Sequence, residues 1–372
     1  MNVLIIPDKF KGTLTAQAAA EAMERGWRQA RPADELELIP MSDGGDGFGE
    51  LLSAQIQGKA RKIKTLDAAD QAVSATWWWE VKTKTAIVEA ARVVGLAMLP
   101  PGKYHPFQLD TFGLGKVLHQ AAIAGARTCI VGIGGSATND AGTGMARALG
   151  WKFLDEQGQA IEDWTEMRRL SNIVIPRRRK IFPKLVVAVD VQNRLLGPQG
   201  CSRVYGPQKG LRPEDFPKAE RALKRLAQVC EKVLGVDYAK QPGAGAAGGL
   251  GFGLMAFAGA KMTPGFALFA RRAGLNERLR KADLVITGEG AIDHSTLMGK
   301  GVGELALLCR KAKVPCLGLA GYVSEPEKAK QLFAETHGLT EITSIAEAKA
   351  RAAHWLERLT QRAAKQKTFT AE

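Results

Sequence analysis

The sequence predicts an α/β protein of two domains, a parallel-sheet domain assembled from both ends of the chain and a mixed α/β domain inserted between them. Three observations lead there. The chain opens with an apolar run, an alanine-rich helical stretch and a second short apolar run, the strand–helix–strand order that closes right-handed onto a parallel sheet. Between residues 60 and 89 this gives way to short strands split by polar turns, the pattern of an antiparallel meander. The 372 residues also exceed what one hydrophobic core supports. The expected division is 1–60 with 275–372 for the parallel domain and 61–274 for the insert, with an active site in the cleft between them.

Residues 2–6 form an apolar run stopped by Pro7, a buried strand. Residues 16–30 are rich in helix formers, follow Thr15 and are closed by Pro32; Met23 and Trp27 stand four apart on one face. Residues 36–40 are the next strand, and residues 60–64, 73–80 and 85–89 make the meander. Trp77, Trp78 and Trp79 sit in its second strand, where side chains alternate. The rings are therefore expected on both faces of a covered sheet and not on a binding platform. From residue 110 the α/β style returns, with helices over 115–124 and beyond Asn139, and strands over 129–132 and 184–189. A helix over 212–235 follows, then a strand over 284–287, a helix over 303–313 and a strand over 316–320. One more strand is expected at 342–345, before a terminal helix containing Trp355.

Composition narrows the function classes. Apolar residues make up 45% of the chain and charged residues 24%, which excludes a disordered chain, a fibrous repeat or a disulfide scaffold. The 41 glycines exceed an average share of about 7% and gather in short clusters, as backbone built for close approach does. The five cysteines show no C-x-x-C spacing and are expected as buried free thiols in a reducing compartment. The N-terminus lacks the basic region of a signal peptide. Residues 241–260 carry no charge but hold too much glycine for a membrane span; they read as a glycine-rich loop entering a buried helix. A cytoplasmic location is expected. The excess of 52 Lys+Arg over 38 Asp+Glu, a net +14, suits small anionic substrates, nucleic acid or an anionic membrane. The densest basic stretch, Arg177 to Lys180, has no interleaved aromatic residue and reads as a solvated loop.

Five clusters share one arrangement, an apolar strand running into Gly, Asp, Asn, Ser or Lys. They cover residues 7–13, 41–47, 132–140, 190–193 with 206–210, and 287–293 with Gly299 and Lys300 behind. In open α/β sheets ligands bind at the carboxyl ends of strands. A lone Asp-Gly-Gly is usually a turn, because Gly supplies positive φ and Asp caps the next helix; five such clusters at strand ends argue for more. Loops of this kind turn backbone N–H groups toward an anion while their carboxylates can hold a metal. Residues 243–248 match G-x-G-x-x-G, but the polar residues 238–242 precede them instead of an apolar strand, so a dinucleotide site there is unsupported. No G-x-x-x-x-G-K-[ST] occurs, which removes P-loop kinases; no H-E-x-x-H occurs and the five histidines are scattered, so a zinc hydrolase is poorly supported, and no G-x-S-x-G elbow is present.

Read in order, these clusters resemble the bacterial glycerate kinase family. Asp8 to Gly12 matches its P-D-x-F-K-G motif and Ser42 to Gly47 is similar to its A-D-G-G-E-G. Thr111 to Gly115 resembles its T-x-G-x-G, while residues 133–140, 205–210, 242–249 and 286–290 are close to identical. The resemblance runs in order to about residue 345. The chain departs from the family pattern at Ala291, Ser295, Val302, Tyr322 and Val94, and carries Lys9 where Ser is frequent.

The resemblance implies a flavodoxin-like parallel sheet and an inserted domain resembling a restriction-endonuclease fold. It also implies ATP-dependent phosphorylation of D-glycerate with Mg²⁺, 2-phosphoglycerate being favoured over 3-phosphoglycerate as product. Phosphoryl transfer needs positioning and charge neutralisation. Asp190 is the expected hydroxyl-orienting base, with Lys11 and Asn193 beside it as catalytic residues. Asp8, Asp43 and Glu289 are the expected Mg²⁺ partners. Lys9, Lys11, Lys209, Lys300, Asp8, Gly288, Glu289, Gly290 and Asp293 are expected at the substrates, and Gly134, Gly135, Ser136, Thr138 and Asn139 as a backbone cradle for an anion. Partners are small molecules, with no nucleic acid and no membrane, and a homodimer is allowed. Two other readings remain open at this stage, a kinase of another small hydroxy acid and, less favoured, a basic nucleic-acid-binding α/β protein.

Overall fold

The computed structural model describes residues 1–42, 44–45, 47–297 and 301–366. The chain forms two compact units, Met1–Asp43 with Phe266–Glu372, and Gly44–Gly265. Strands β1 (Asn2–Ile5) and β2 (Glu35–Leu38) begin the first unit. The second holds β3 (Lys59–Leu66), β4 (Ala72–Glu80), β5 (Thr85–Glu89), β6 (Thr128–Gly132), β7 (Lys152–Leu154), β8 (Asn172–Val174), β9 (Lys184–Ala188) and β10 (Lys261–Thr263). The chain then returns to the first for β11 (Leu284–Ile292), β12 (Cys316–Val323) and β13 (Glu335–Gly338).

The division falls at 43/44 and 265/266, not at 60/61 and 274/275. The helix Phe48–Gln55 packs on β4 and β5, which draws residues 44–60 into the second unit. Phe266, Phe269 and Ala273 join the apolar cluster of Leu4, Val285 and Leu305, which draws residues 266–274 into the first.

The first unit carries a five-stranded sheet in the order β13-β12-β11-β1-β2, parallel throughout. Counted within the unit this is the flavodoxin-like order. Its central strands are apolar on both faces, with Val3, Leu4, Ile5, Leu284, Val285 and Ile286 all buried, because helices cover both sides. The helix Ala16–Ala30 starts at Thr15, whose hydroxyl accepts from the Ala18 N–H (3.1 Å). It lies on one face beside the helix Ala352–Gln366. The two helices touch at Gly26, where an added Cβ would stand 2.2 Å from the carbonyl oxygen of Glu357. The helix Val302–Ala312 covers the other face.

The strand expected at 342–345 is absent. Ser344 instead caps the helix Ile345–Ala350, its hydroxyl accepting from the Glu347 N–H (3.3 Å). The edge strand is the polar β13, paired with Leu317 to Ala320. An edge strand needs a ladder on one side only, so it forms without the apolar run that marks a central strand.

The second unit is built on a six-stranded mixed sheet, β10-β9-β6-β5-β4-β3. Strands β3, β4 and β5 form the antiparallel meander, and β5, β6, β9 and β10 run parallel. Trp77 and Trp79 enter the main core, with ring centroids 6.3 Å apart. Trp78 faces the other way, against Gly49 of the helix Phe48–Gln55, with the Arg92 guanidinium 5.2 Å from its ring centre. A small antiparallel pair, β7 with β8, has three residues a side, too short for an alternating pattern to announce it. Residues 241–249 are turns, and the helix Leu250–Ala258 that follows is buried along its whole length. Among the described residues no helix is long and apolar enough to cross a membrane. All five cysteines are buried and free.

The glycine-rich turn is dictated by backbone contact. Gly248 has φ +69°, and an added Cβ would stand 1.9 Å from the carbonyl oxygen of Thr138. Gly158 has a similar φ of +75° but open space around it. Gly248→Ala is therefore expected to cost about 2–5 kcal/mol, strain plus overpacking, and Gly158→Ala only about 1–2 kcal/mol. Urea unfolding midpoints of the two variants check this; equal shifts would contradict it.

Candidate active site

In the first unit, parallel pairing brings three of the flagged clusters to one edge of the sheet. The ladder between β1 and β11 continues past the strand as Ile6 N–H to Ile286 O (2.7 Å) and Asp8 N–H to Gly288 O (2.8 Å). Met41 N–H to Pro7 O (2.9 Å) does the same between β1 and β2. Residues 7–12, 41–42 and 287–293 thus share the carboxyl edge, where the strand order reverses between β1 and β11, the usual ligand position in such sheets.

The side chains there divide by task. Asp8 accepts from the Lys9 N–H through Oδ1 (2.7 Å), and its Oδ2 lies 3.8 Å from where a Cβ on Gly301 would stand. Gly290 lies against the backbone of the Asp8 to Gly12 loop, an added Cβ there being 3.2 Å from the Lys11 nitrogen. The Lys11 side chain is exposed. Glu289 Oε1 accepts from the Thr296 hydroxyl (2.7 Å). Gly288 answers to packing, since a Cβ there would stand 2.0 Å from the carbonyl oxygen of Leu319. Asp293 caps the short helix His294–Leu297, its Oδ1 accepting from the Ser295 hydroxyl (2.7 Å) and N–H (2.8 Å). Those Ser295 bonds hold its carboxyl below the usual range. Asp43 and Lys300, both candidates from sequence, lie outside the described residues.

In the second unit the loop after β6 is braced from every side. The Gly134 N–H donates to Gly44 O (3.1 Å), the Ala137 N–H to Val94 O (2.8 Å) and the Thr138 N–H to the Ser136 hydroxyl (3.2 Å). The Gly135 carbonyl accepts from the Leu96 N–H (2.8 Å). Three of the six N–H groups expected as an anion cradle, those of Gly134, Ala137 and Thr138, are thus engaged within the protein. The six-residue helix that follows, Thr143–Ala148, has its start filled by Asp140. Asp140 accepts from the Thr111 hydroxyl (2.7 Å) and N–H (3.0 Å), the Gly144 N–H (3.0 Å) and the Gly142 N–H (3.1 Å). Burial pushes its carboxyl upward, and these donors oppose the shift.

Asp190 stands just past β9, half-buried, with Oδ1 accepting from the Gly265 N–H (2.7 Å). Asn193 uses both ends of its amide, accepting from the Tyr205 hydroxyl (2.6 Å) and donating to Gln199 O (2.8 Å). It braces the segment after β9. Asn139 is fully buried; its Nδ2 donates to the Ser202 hydroxyl (2.9 Å), while its Oδ1 has no hydrogen-bond partner among the described residues. Lys209 is 6% exposed and its ammonium donates to Thr138 O (2.6 Å). Burial pushes that ammonium down to about 8.

Glu89 escaped the sequence reading, which took it only as the last residue of a strand. It is 2% exposed and accepts from the Gly47 N–H through Oε1 (3.0 Å) and the Gly49 N–H through Oε2 (2.9 Å), with Arg92 Nε 3.5 Å away. It holds the start of the helix Phe48–Gln55, as a carboxylate at a helix N-terminus does. The signal was a charge closing an apolar buried strand. Glu89→Gln puts an NH₂ against a backbone N–H and leaves a buried donor unpaired, expected to cost about 1–3 kcal/mol. Hydrogen exchange at the Gly47 and Gly49 amides should accelerate roughly five- to hundredfold; unchanged protection would contradict the anchoring.

Each unit thus offers oxygen donors and cations on strand-end loops, the equipment for handling anionic small molecules. Among the described residues, no three His, Cys, Asp or Glu cluster closely enough to hold a metal ion by themselves. A model of the glycerate kinase family matches residues 3–368. The chain is 39% identical over 335 residues to a glycerate kinase of Halalkalibacterium halodurans, covering 88% of each chain. It is 38% identical over 330 residues to the glycerate 2-kinase of Escherichia coli K12, covering 87% of this chain and 86% of that one. Its structure matches the crystal structure of a Salmonella typhimurium LT2 protein provisionally described as glycerate kinase 2. That match has a TM-score of 0.81 at 32% identity, over 98% of this chain and 97% of the other. With the strand-end motifs in place along this length, the chain belongs to the glycerate kinase family.

Proposed function

We propose that this chain transfers the γ-phosphoryl group of ATP to D-glycerate and releases 2-phosphoglycerate, in the cytoplasm. The observation that carries the reading is the meeting of Asp8, the Lys11 loop and Glu289 at the strand-order reversal of a parallel sheet, in a chain of this family. The Escherichia coli relative bears the name glycerate 2-kinase, which favours the 2-position over the 3-position.

In the proposed reaction Asp190 orients the substrate hydroxyl and takes its proton as the new O–P bond forms. The bond from the γ-phosphorus to the bridging oxygen breaks, and ADP leaves. Lys11 is exposed beside the Asp8 loop and neutralises phosphate or carboxylate charge. Asp8 and Glu289 are the described residues that would hold Mg²⁺, with Asp43 as a third. Hard oxygen donors in small number are what Mg²⁺ takes when phosphate oxygens fill its remaining positions. Bound there, the ion would neutralise charge on the transferred group.

Asp190→Asn is expected to lower kcat with ATP and D-glycerate by about 10²–10⁴-fold, and Lys11→Ala by about 10²–10³-fold. Phosphorus NMR of the wild-type product should show 2-phosphoglycerate, and a panel of hydroxy acids should rank D-glycerate first. Wild-type kcat in both variants would overturn the residue roles; no turnover of glycerate by the wild-type protein would overturn the function.

A further inference from the structure

The second unit contains a cavity of about 940 Å³ between residues 96–109 and residues 207–212. No role in the reaction above falls on residues 96–109. Four cationic or ionisable nitrogen side chains line the cavity, Lys103, His105, Lys209 and Arg212, and no Asp or Glu does. The remaining walls are largely prolines and leucines, with the ring of Tyr104 under the Lys103 ammonium at 5.2 Å.

Both walls are held in place. At the base each is tied to the loop after β6, one by the Leu96 N–H donating to Gly135 O (2.8 Å), the other by Lys209 donating to Thr138 O (2.6 Å). At the rim they share Asp215, whose Oδ2 lies 3.1 Å from His105 Nε2 and accepts from the Arg212 N–H (2.9 Å). A cavity with anchored walls loses little entropy when it is filled.

Lys209 lies at the base of the cavity. Its ammonium is buried and its hydrogen bond goes to a neutral carbonyl; the Asp140 carboxylate favours its charge from a distance, but burial outweighs it. A buried cation is costly until an anion reaches it, and burial lowers its proton affinity in keeping with that debt of charge.

We propose that this cavity binds a phosphate-bearing small molecule, its phosphate held by Lys103 and Arg212 over Lys209 and its remainder on the apolar walls and Tyr104. A phosphorylated hydroxy acid and a nucleotide share this chemistry. The volume lies within the range of small-ligand pockets and exceeds what inorganic phosphate alone requires.

Calorimetric titration of the full chain with 2-phosphoglycerate, with ATP in EDTA and with inorganic phosphate tests this without turnover. Its failure is therefore distinguishable from failure of the kinase reading. At least one organic phosphate should bind, and its affinity should fall at least about tenfold in Lys103→Ala/Arg212→Ala and in Lys209→Met. Loss for 2-phosphoglycerate alone identifies the acid phosphate as the ligand, and loss for ATP alone the nucleotide. Lys103 and Arg212 are exposed, so the double variant decides the matter even where Lys209→Met does not fold. Affinities unchanged in the double variant, or no binding of any of the three at millimolar concentration, would overturn the proposal.

Discussion

Backbone laid against backbone around residues 132–141 is the constraint on which the second unit rests. On one side Gly44 and Gly45 approach so closely that a Cβ on Gly134 would stand 2.6 Å from the Cα of Gly45. On the other, Gly248 accepts from the Ala141 N–H (3.1 Å) while pressing on Thr138. A side chain at Gly134 or Gly248 would push these segments apart. The cost of using glycine, more conformational entropy lost on folding, is accepted because only bare backbone fits. Much of the glycine excess therefore serves packing between loops, and the dinucleotide-like spacing at 243–248 is a by-product of it.

The same close approach decides which charges can be buried. Glu89 and Asp140 sit in the interior because glycine-rich segments bring two and three backbone N–H groups to them, with Thr111 adding its hydroxyl. Each carboxylate is a fastening for a loop that follows a parallel strand. Lys209 is held by one carbonyl, with Asp140 as the carboxylate that favours its charge. The net +14 of the chain is mostly a different matter. Arg177, Arg178 and Lys180 are exposed, and only Arg179 turns inward, donating to Ala256 O (3.2 Å).

Periodicity and capping made many of the regular elements legible. The helix Ala16–Ala30 and strand β5 have the bounds that their residues suggest, and the alternation of Trp77, Trp78 and Trp79 across the sheet follows from the two-residue period of a strand. Elements whose stability comes from neighbours were not legible. The edge strand β13 is polar, β7 and β8 have three residues each, and Ile342 has the apolar look of a strand but leads into a capped helix.

For the candidate site, residue types at strand ends marked loops that the parallel sheet brings to its carboxyl edge, where ligands of such sheets bind. The family motifs, being long and in order, were enough to name the class of protein. What each marked residue does depends on the partner atoms that the folded chain sets against it. Asp293 caps a helix, Asn193 braces a segment, Gly288 makes room for Leu319, and three of the six N–H groups of residues 134–139 are engaged. Glu89 and the lysine–arginine cavity had no motif to announce them, since hydrogen-bond partners and enclosed volume exist only after the strands have been brought side by side.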